Sequence, residues 1–152
     1  MIRPTTSDDT ASLLSLAKAA IDFSPEELQE LSAMLTDYLS GDSDHIWLTD
    51  DNGELVGVAY CAPEQMTNGT WNLLFLAIHP DCQGQGRGTA MVRYVEEMLV
   101  AKGAHLLLGE TLASFERTRA FYRKCGYEEE ACIRDFYEAG ADKIVYRKAL
   151  GA

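Results

Sequence analysis

The chain is 152 residues long, 47% hydrophobic, with a formal net charge of −11, which suits one domain around a single core and argues against nucleic acid or an anionic membrane, either of which needs a basic patch. No run approaches the roughly 20 apolar residues of a membrane span, and Met1-Ile2-Arg3-Pro4 lacks the long apolar stretch of a signal peptide. Cys61, Cys82, Cys125 and Cys132 show no C-x-x-C pairing and no accompanying histidine cluster, so neither zinc nor a disulfide framework is indicated, and reduced thiols in a cytoplasmic protein are expected.

Residues 2–5 read as a short first strand. Ser7 predicts the N-cap of a helix with Asp8 and Asp9 in its first turn and Leu13, Leu14, Leu16, Ala17 and Ile21 on its apolar side. Ser24-Pro25-Glu26-Glu27 predicts a second helix at once: an N-cap, a proline at the first helical position and a capping-box glutamate, followed by Leu28, Leu31, Leu35 and Leu39 at helical spacing. Residues 45–49 and 54–61 flank Asp51-Asn52-Gly53, whose Asn-Gly pair predicts a hairpin. Residues 70–78 are nearly continuous in apolar side chains, as a central strand covered on both faces is. Ala90, Met91, Val92, Val95, Met98 and Leu99 mark a helix from Thr89 to Lys102-Gly103; residues 104–108 then predict a strand parallel to the preceding one, with Glu110 just past its carboxyl end. Residues 116–124 predict a shorter helix stopped by Gly126, and residues 127–136 and 143–150 a closing pair of strands around Gly140. The order is β-α-α-β-β-β-α-β-α-β-β, an α/β chain in a single domain of residues 1–152.

Gln83-Gly84-Gln85-Gly86-Arg87-Gly88 joins the third long strand to the helix after it. Glycines let the backbone take positive φ and approach a ligand without Cβ clashes, so successive N–H groups can turn inward where a helix N-terminus adds partial positive charge. Phosphate or pyrophosphate fits such a loop. It is not the dinucleotide fingerprint G-x-G-x-x-G, because the third glycine falls one residue early and some eighty residues of chain precede it. No Lys-Ser/Thr pair follows, so it is not a Walker loop either.

The spacing does match Q/R-x-x-G-x-G/A, and so resembles the pyrophosphate loop of the GNAT superfamily of acyl-CoA-dependent N-acyltransferases. Leu76-Ala77-Ile78-His79-Pro80 looks like the family's strand end before that loop. Residues 118–127, with Ala120-Phe121-Tyr122 and Lys124-Cys125-Gly126-Tyr127, resemble its second signature of helix, F-Y and G-F/Y. Roughly the last eighty residues align in this way, in the manner of the ribosomal-protein N-terminal acetyltransferase branch, while the first seventy match only by the order of their elements. The resemblance implies the GNAT fold, a central mixed sheet with helices on both faces, and acetyl-CoA as acetyl donor without a metal. It implies that the main chain of Leu76, Ala77 and Ile78 holds the pantetheine arm and that Gln83, Gly84, Gln85, Gly86, Arg87, Gly88 and Thr89 hold the pyrophosphate. Arg87, Arg119, Arg123 and Lys124 then stand near the adenosine phosphates, each equally readable as a solvated helix residue. At Phe115 most members carry an asparagine that hydrogen-bonds the arm, and Ser114 is the candidate replacement. Homodimers are common in the family.

Acylation of an amine by a thioester needs a neutral nucleophile and a protonated leaving group, hence a base and an acid. Glu110 is the candidate base, at the end of a buried strand where apolar walls would raise its pKa; a glutamate at the matching position is the base in the resembled branch, and the competing reading is an exposed loop carboxylate. In another branch the base stands at the position of Asn72, where an amide cannot do that work. Tyr122 is the candidate acid, since a phenol stays protonated at neutral pH and the family places its acid, in contact with the cofactor, at the tyrosine of F-Y. Without the resemblance it reads as core.

His45 and His79 form no triad with Ser or Cys, so a hydrolase has no support. Trp47, Tyr60, Trp71 and Phe75 read as core aromatics, with Trp71 and Tyr60 alternatively lining an acceptor pocket. Phe23, Asp22, Glu26 and Glu27 lie at the junction of the first two helices, which borders the acceptor in the resembled fold, and are the candidate substrate residues. Residues 1–86 carry 14 acidic against 2 basic residues, a net of −12, whereas residues 87–152 carry 10 against 11, a net of +1. That asymmetry suits a cationic small-molecule or peptide amine, and serves solubility as well. The alternative function is a CoA-binding sensor or assembly module without turnover, for which Phe115 is the main support.

Overall fold

The element order read from the sequence is the one observed in the structure, a computed structural model that describes residues 1–41 and 43–151. The elements are β1 (Ile2–Pro4), α1 (Thr10–Ile21), α2 (Pro25–Leu39), β2 (Ile46–Asp51), β3 (Leu55–Pro63), β4 (Thr70–Ile78), α3 (Arg87–Ala101), β5 (Leu106–Leu112), α4 (Glu116–Lys124), β6 (Glu128–Glu138) and β7 (Ala141–Ala149). The seven strands order as β1-β2-β3-β4-β5-β7-β6 in one mixed sheet. Packing divides the chain into two compact units, one of residues 1–62 and 75–94 and one of residues 63–74 and 95–152, so that β4 and α3 each contribute to both.

In the first unit, β1, β2 and β3 pair antiparallel, with Trp47 opposite Tyr60 and Leu48 opposite Ala59. The apolar stripe of α1 (Leu13, Leu16, Ala17) and that of α2 (Leu31, Leu35) share a core with Trp47, Val58 and Tyr60, whose two large rings stack 4.4 Å apart. Entry into α2 follows the expected capping box: the Ser24 Oγ accepts from the Glu27 N–H at 3.2 Å, and the Glu27 carboxylate accepts from the Ser24 N–H at 3.0 Å. Entry into α1 differs. Ser7 lies inside a 3-10 turn of Ser7–Asp9, and the cap falls one residue earlier, at Thr6, whose backbone N–H and hydroxyl both donate to Asp9. Asp9 prefers that position because it also receives both terminal nitrogens of Arg3, each at 2.8 Å.

In the second unit, β4 and β5 pair parallel from Thr70 opposite Leu106 to Leu73 opposite Gly109, and β5 pairs antiparallel with β7 over its whole length. That second ladder explains a correction. The strand expected at residues 104–108 runs Leu106–Leu112, because Gly103, at φ 86°, and the Ala104 N–H to Leu99 carbonyl bond close α3 while β7 supports β5 as far as Leu112. Glu110 therefore lies within the strand, not beyond it. The turn after β6 does centre on Gly140, but β6 runs on to Glu138 and β7 begins at Ala141. Inside the unit the buried Glu96 accepts from the Tyr127 hydroxyl at 2.7 Å and from the Lys148 ammonium at 3.1 Å.

Hydrogen bonds from Arg3 hold the Asp9 carboxyl down at about 2 against an ordinary value of 3.8. A depressed carboxylate contributes stability that is present in full above the unfolded value and is lost as pH falls through the folded one. Asp9→Asn is therefore expected to cost on the order of 1–2 kcal/mol near neutral pH, with the difference from the parent shrinking between pH 4 and pH 2 in urea titrations. A difference constant across that window would mean that the carboxylate charge is not what Arg3 reads.

Candidate active site

The anion loop belongs to the first unit and is fastened at both ends. Where β4 ends, the His79 N–H donates to the Val56 carbonyl at 2.8 Å, the His79 ring accepts from the Asp81 N–H, and the Gln83 amide donates to the Ile78 carbonyl at 3.0 Å. Gly84 and Gly86 then take φ of 76° and 81°, which other residues adopt only with strain. A Cβ at either position would meet nothing within 4 Å, so the backbone there is open to approach. The first bond into the helical ladder is Ala90 N–H to Gly86 carbonyl at 3.0 Å, which leaves the N–H groups of Arg87, Gly88 and Thr89 in the first turn, ahead of the ladder. The helix begins at Arg87, two residues before the expected Thr89.

Arg87 itself is occupied: its guanidinium donates at 3.0 Å to Asp50, a buried carboxylate of β2. A cavity of about 340 Å³ opens beside this pair, with Asp50, Gln85, Gly86 and Ala90 in its wall.

Glu110, in the second unit, is the centre of a polar cluster. Its side chain is 11% exposed, and its carboxylate receives the Lys143 ammonium at 3.3 Å, the Tyr137 hydroxyl at 3.1 Å and the Asn72 amide at 3.4 Å. The same amide nitrogen donates to Glu64 at 3.1 Å, so Asn72 spans two carboxylates, while its carbonyl oxygen is buried without a protein partner. The apolar walls and the exposed loop expected around Glu110 are both replaced by this arrangement. The reason is register. Asn72 is opposite Leu108 in the parallel pair, and Val145 is opposite Glu110 in the antiparallel one, so Asn72 and Lys143 fall on Glu110's own face one step along their strands. Burial and then the Glu110 charge push the Tyr137 phenol above its ordinary range, which keeps it a donor.

Tyr122 lies on the other face of β5. It is buried, stacked on Tyr146 at 4.9 Å and set edge-on to Tyr127 and Phe121. Gly109 makes room for it, since a Cβ there would stand 2.8 Å from the phenol ring and 3.3 Å from its hydroxyl. The candidate base and acid thus flank one strand from opposite sides. Around α4, the Arg119 guanidinium is shared between Glu129, at 3.2 Å, and the Ala113 carbonyl, at 2.9 Å, and Arg123 donates to the same Glu129. Ser114 and Phe115 are exposed ahead of that helix, with Phe115 at its N-cap.

Among the candidate acceptor residues, Phe23 stacks on Phe75 at 5.7 Å in the first unit, Glu26 is exposed, and the Glu27 carboxylate is engaged in its cap. Trp71, 9% exposed, is part of the core. The sequence reading missed Glu64, Tyr137 and Lys143. Lys143 is visible once the hairpin register is known, but Tyr137 is not, because a bulge with Asp135 at φ 57° interrupts β6 between Ile133 and Glu138. No group of three or more metal-ligating side chains occurs among the described residues, and none of their helices is long and apolar enough to cross a membrane.

The chain belongs to the acetyltransferase (GNAT) family, whose sequence profile it matches over residues 13–127. It is 28% identical over 104 residues to an uncharacterised N-acetyltransferase of Methanocaldococcus jannaschii, covering 67% of this chain and 64% of that one. It is 29% identical over 98 residues to an acetyltransferase of Pectobacterium atrosepticum, covering 62% and 65%. The chain thus spans somewhat less than two thirds of each of these curated relatives. Among solved structures, one assigned to the GNAT family from Desulfovibrio desulfuricans superposes with a TM-score of 0.90 at 27% identity, covering 99% of both chains. The fold is also that of the Escherichia coli ribosomal-protein-S18-alanine N-acetyltransferase, with a TM-score of 0.79 at 21% identity over 100% of this chain and 94% of that one.

The open cradle at Gly86 makes a direct prediction. Gly86→Val places a β-branched side chain in the space that a phosphate would fill and forces a strained φ, so calorimetry is expected to show CoA affinity reduced by about 10-fold or more in a folded protein. Undiminished affinity would locate the phosphates elsewhere.

Proposed function

We propose that the protein moves an acetyl group from acetyl-CoA to a primary amine by direct attack in a ternary complex, with Glu110 as base and Tyr122 as acid. The residues present fit the donor: the glycine-opened loop and the first-turn N–H groups of α3 suit a diphosphate, and exposed Ser114 beside Phe115 offers a hydroxyl for the pantetheine arm. With the Ile78 carbonyl engaged by Gln83, Leu76 and Ala77 are the main-chain candidates for that arm. When bound, acetyl-CoA supplies an activated acyl carbonyl and a thiol leaving group.

One observation carries the amine reading: a primary ammonium, that of Lys143, already stands 3.3 Å from the Glu110 carboxylate. A base must lie within hydrogen-bond reach of the proton it removes, and Glu110 meets that condition for an ammonium on its face of β5. Asn72 and Tyr137 fix the orientation of the carboxylate, so that its remaining lone pairs are presented in one direction. Tyr122, packed against Gly109, holds a phenolic proton on the opposite face, where a leaving sulfur threaded past the strand would collect it.

Support for a cationic acceptor comes from the −12 carried by residues 1–86 and from Glu64, a second carboxylate sharing the Asn72 amide with Glu110. The protein would be cytoplasmic and reduced, and a homodimer is compatible with this reading.

CoA release in the presence of spermidine, lysine, an alanine-initiated tripeptide or kanamycin tests the proposal. Glu110→Gln and Tyr122→Phe are each expected to lower turnover of the best of them by roughly 10²–10⁴-fold while leaving CoA affinity nearly unchanged. Tight CoA binding with no amine-dependent release would favour the binding module instead.

The charge argument has its own check. Because surface steering is screened within about 10 Å at 0.1 M salt, kcat/KM for the amine is expected to fall as ionic strength rises, while KM for acetyl-CoA changes less. A best substrate that is neutral, turned over equally well at high and low salt, would assign the acidic residues to solubility alone.

A further inference from the structure

Lys143 does more than neutralise Glu110. Its ammonium sits 3.3 Å from the carboxylate and 4.0 Å from the centroid of the Phe136 ring, and its side chain is only 12% exposed. Carboxylate, aromatic face and neighbouring tyrosine hydroxyl together form a site for a primary ammonium, and the chain fills that site with its own amine. The geometry is imposed by two features. The β5–β7 register sets Lys143 diagonal to Glu110, and the bulge at Asp135 precedes Phe136 and Tyr137, whose side chains meet the Lys143 ammonium and the Glu110 carboxylate. Lys148, a second lysine of this unit with a carboxylate partner, is differently employed: Glu96 and the Cys125 carbonyl both accept from it.

We infer that Lys143 is a modification site for the protein's own acyl transfer, acetylated in cis when acetyl-CoA is bound and no acceptor amine is present. The inference rests on the reading of Glu110 as base. If that carboxylate deprotonates the acceptor beside the thioester, the Lys143 nitrogen stands within its reach already, at an effective concentration no dissolved amine matches. In the step, the Lys143 ammonium gives one proton to Glu110, and the freed Nζ lone pair forms a bond to the acyl carbon. The C–S bond breaks and the thiolate leaves. Of the three ammonium protons, one remains on the amide nitrogen, one ends on the CoA thiol and one passes through Glu110 to solvent. The product is a neutral acetamide. It no longer pairs with Glu110 as an ammonium, and it fills the place the acceptor nitrogen must take, so the modification switches transfer off whenever acetyl-CoA is abundant and acceptor scarce.

The experiment incubates the full chain with acetyl-CoA alone and follows acetyl occupancy by intact mass and peptide mapping, with Lys18 and Lys102 in the same sample reporting uncatalysed acetylation. Lys143 is expected to react about 10²-fold faster or more than either, at a rate independent of protein concentration, and to be slowed by an amine that the protein turns over. Glu110→Gln should bring Lys143 down to the rate of the other two. A second readout needs no donor: after acetyl-CoA is removed, the carboxyl carbon resonance of Glu110 at neutral pH should differ between acetylated and unmodified protein, since its pairing with an ammonium is lost only if Lys143 is the modified residue. If the parent turns over amines, Glu110→Gln does not, and Lys143 reacts no faster than Lys18, the inference is wrong and the reading of Glu110 stands. Amine turnover undiminished in Glu110→Gln would remove both.

Discussion

The parallel pairing of β4 with β5 is the constraint on which the site depends. Setting Asn72 opposite Leu108 and Leu73 opposite Gly109 decides which side chains share a face, and it puts Asn72 within reach of Glu110 although 38 residues separate them. Parallel strands cannot be joined by a tight turn, so the connection has to travel the length of the sheet and return through a helix. Here that return is the glycine-rich loop and α3. The crossover must start a helix at the carboxyl end of β4, and a helix start is where N–H groups without intrahelical partners gather, which is the feature the proposed phosphate site uses.

Charge is distributed with the same economy. Five carboxylates are matched by cations from elsewhere in the chain: Asp9 and Asp51 by Arg3, Asp50 by Arg87, Glu96 by Lys148, Glu110 by Lys143. Such partly shielded pairs contribute little net stability, yet removing one partner leaves the other charge uncompensated, so they fix geometry more than they strengthen it. Two of them touch the proposed chemistry. Asp50 holds the first residue of α3 in place, so in the proposed site the backbone, not the arginine, would face a phosphate. Lys143 holds the carboxylate on which proton transfer would turn.

The features legible in the sequence are those settled between near neighbours. Ser24 and Glu27 are three residues apart, and their reciprocal cap formed as expected. Gly84 and Gly86 permit a left-handed backbone by having no side chain, and both adopt it, so this loop is legible in the sequence. The cap ahead of α1 falls at Thr6, one residue before the Ser7 that the sequence favours, because Asp9 answers to Arg3 as well as to Thr6, and Arg3 lies outside the helix. The surroundings of Glu110 were misjudged for the same reason at longer range. Tyr137 is 27 residues away, and its approach depends on a bulge that alternation in the sequence does not announce. Apolar runs reveal that a strand is buried, whereas the charges that meet on it are set by register.

The contact between Gly109 and Tyr122 bears on how such a chain can diverge. A side chain at 109 would overlap the phenol ring, and a smaller residue at 122 would leave an apolar void against Tyr146 and Tyr127. Neither position can drift alone without a penalty, so the two are under a joint selection that looks, from either residue by itself, like catalytic conservation. Among homologous chains, a glycine at the first position that persists where the second has ceased to be tyrosine would signal a backbone function for that glycine. Its loss in step with the tyrosine would signal packing. Mutational history at two neighbouring sites can thus separate what the ring does for the sheet from what its hydroxyl does for a substrate.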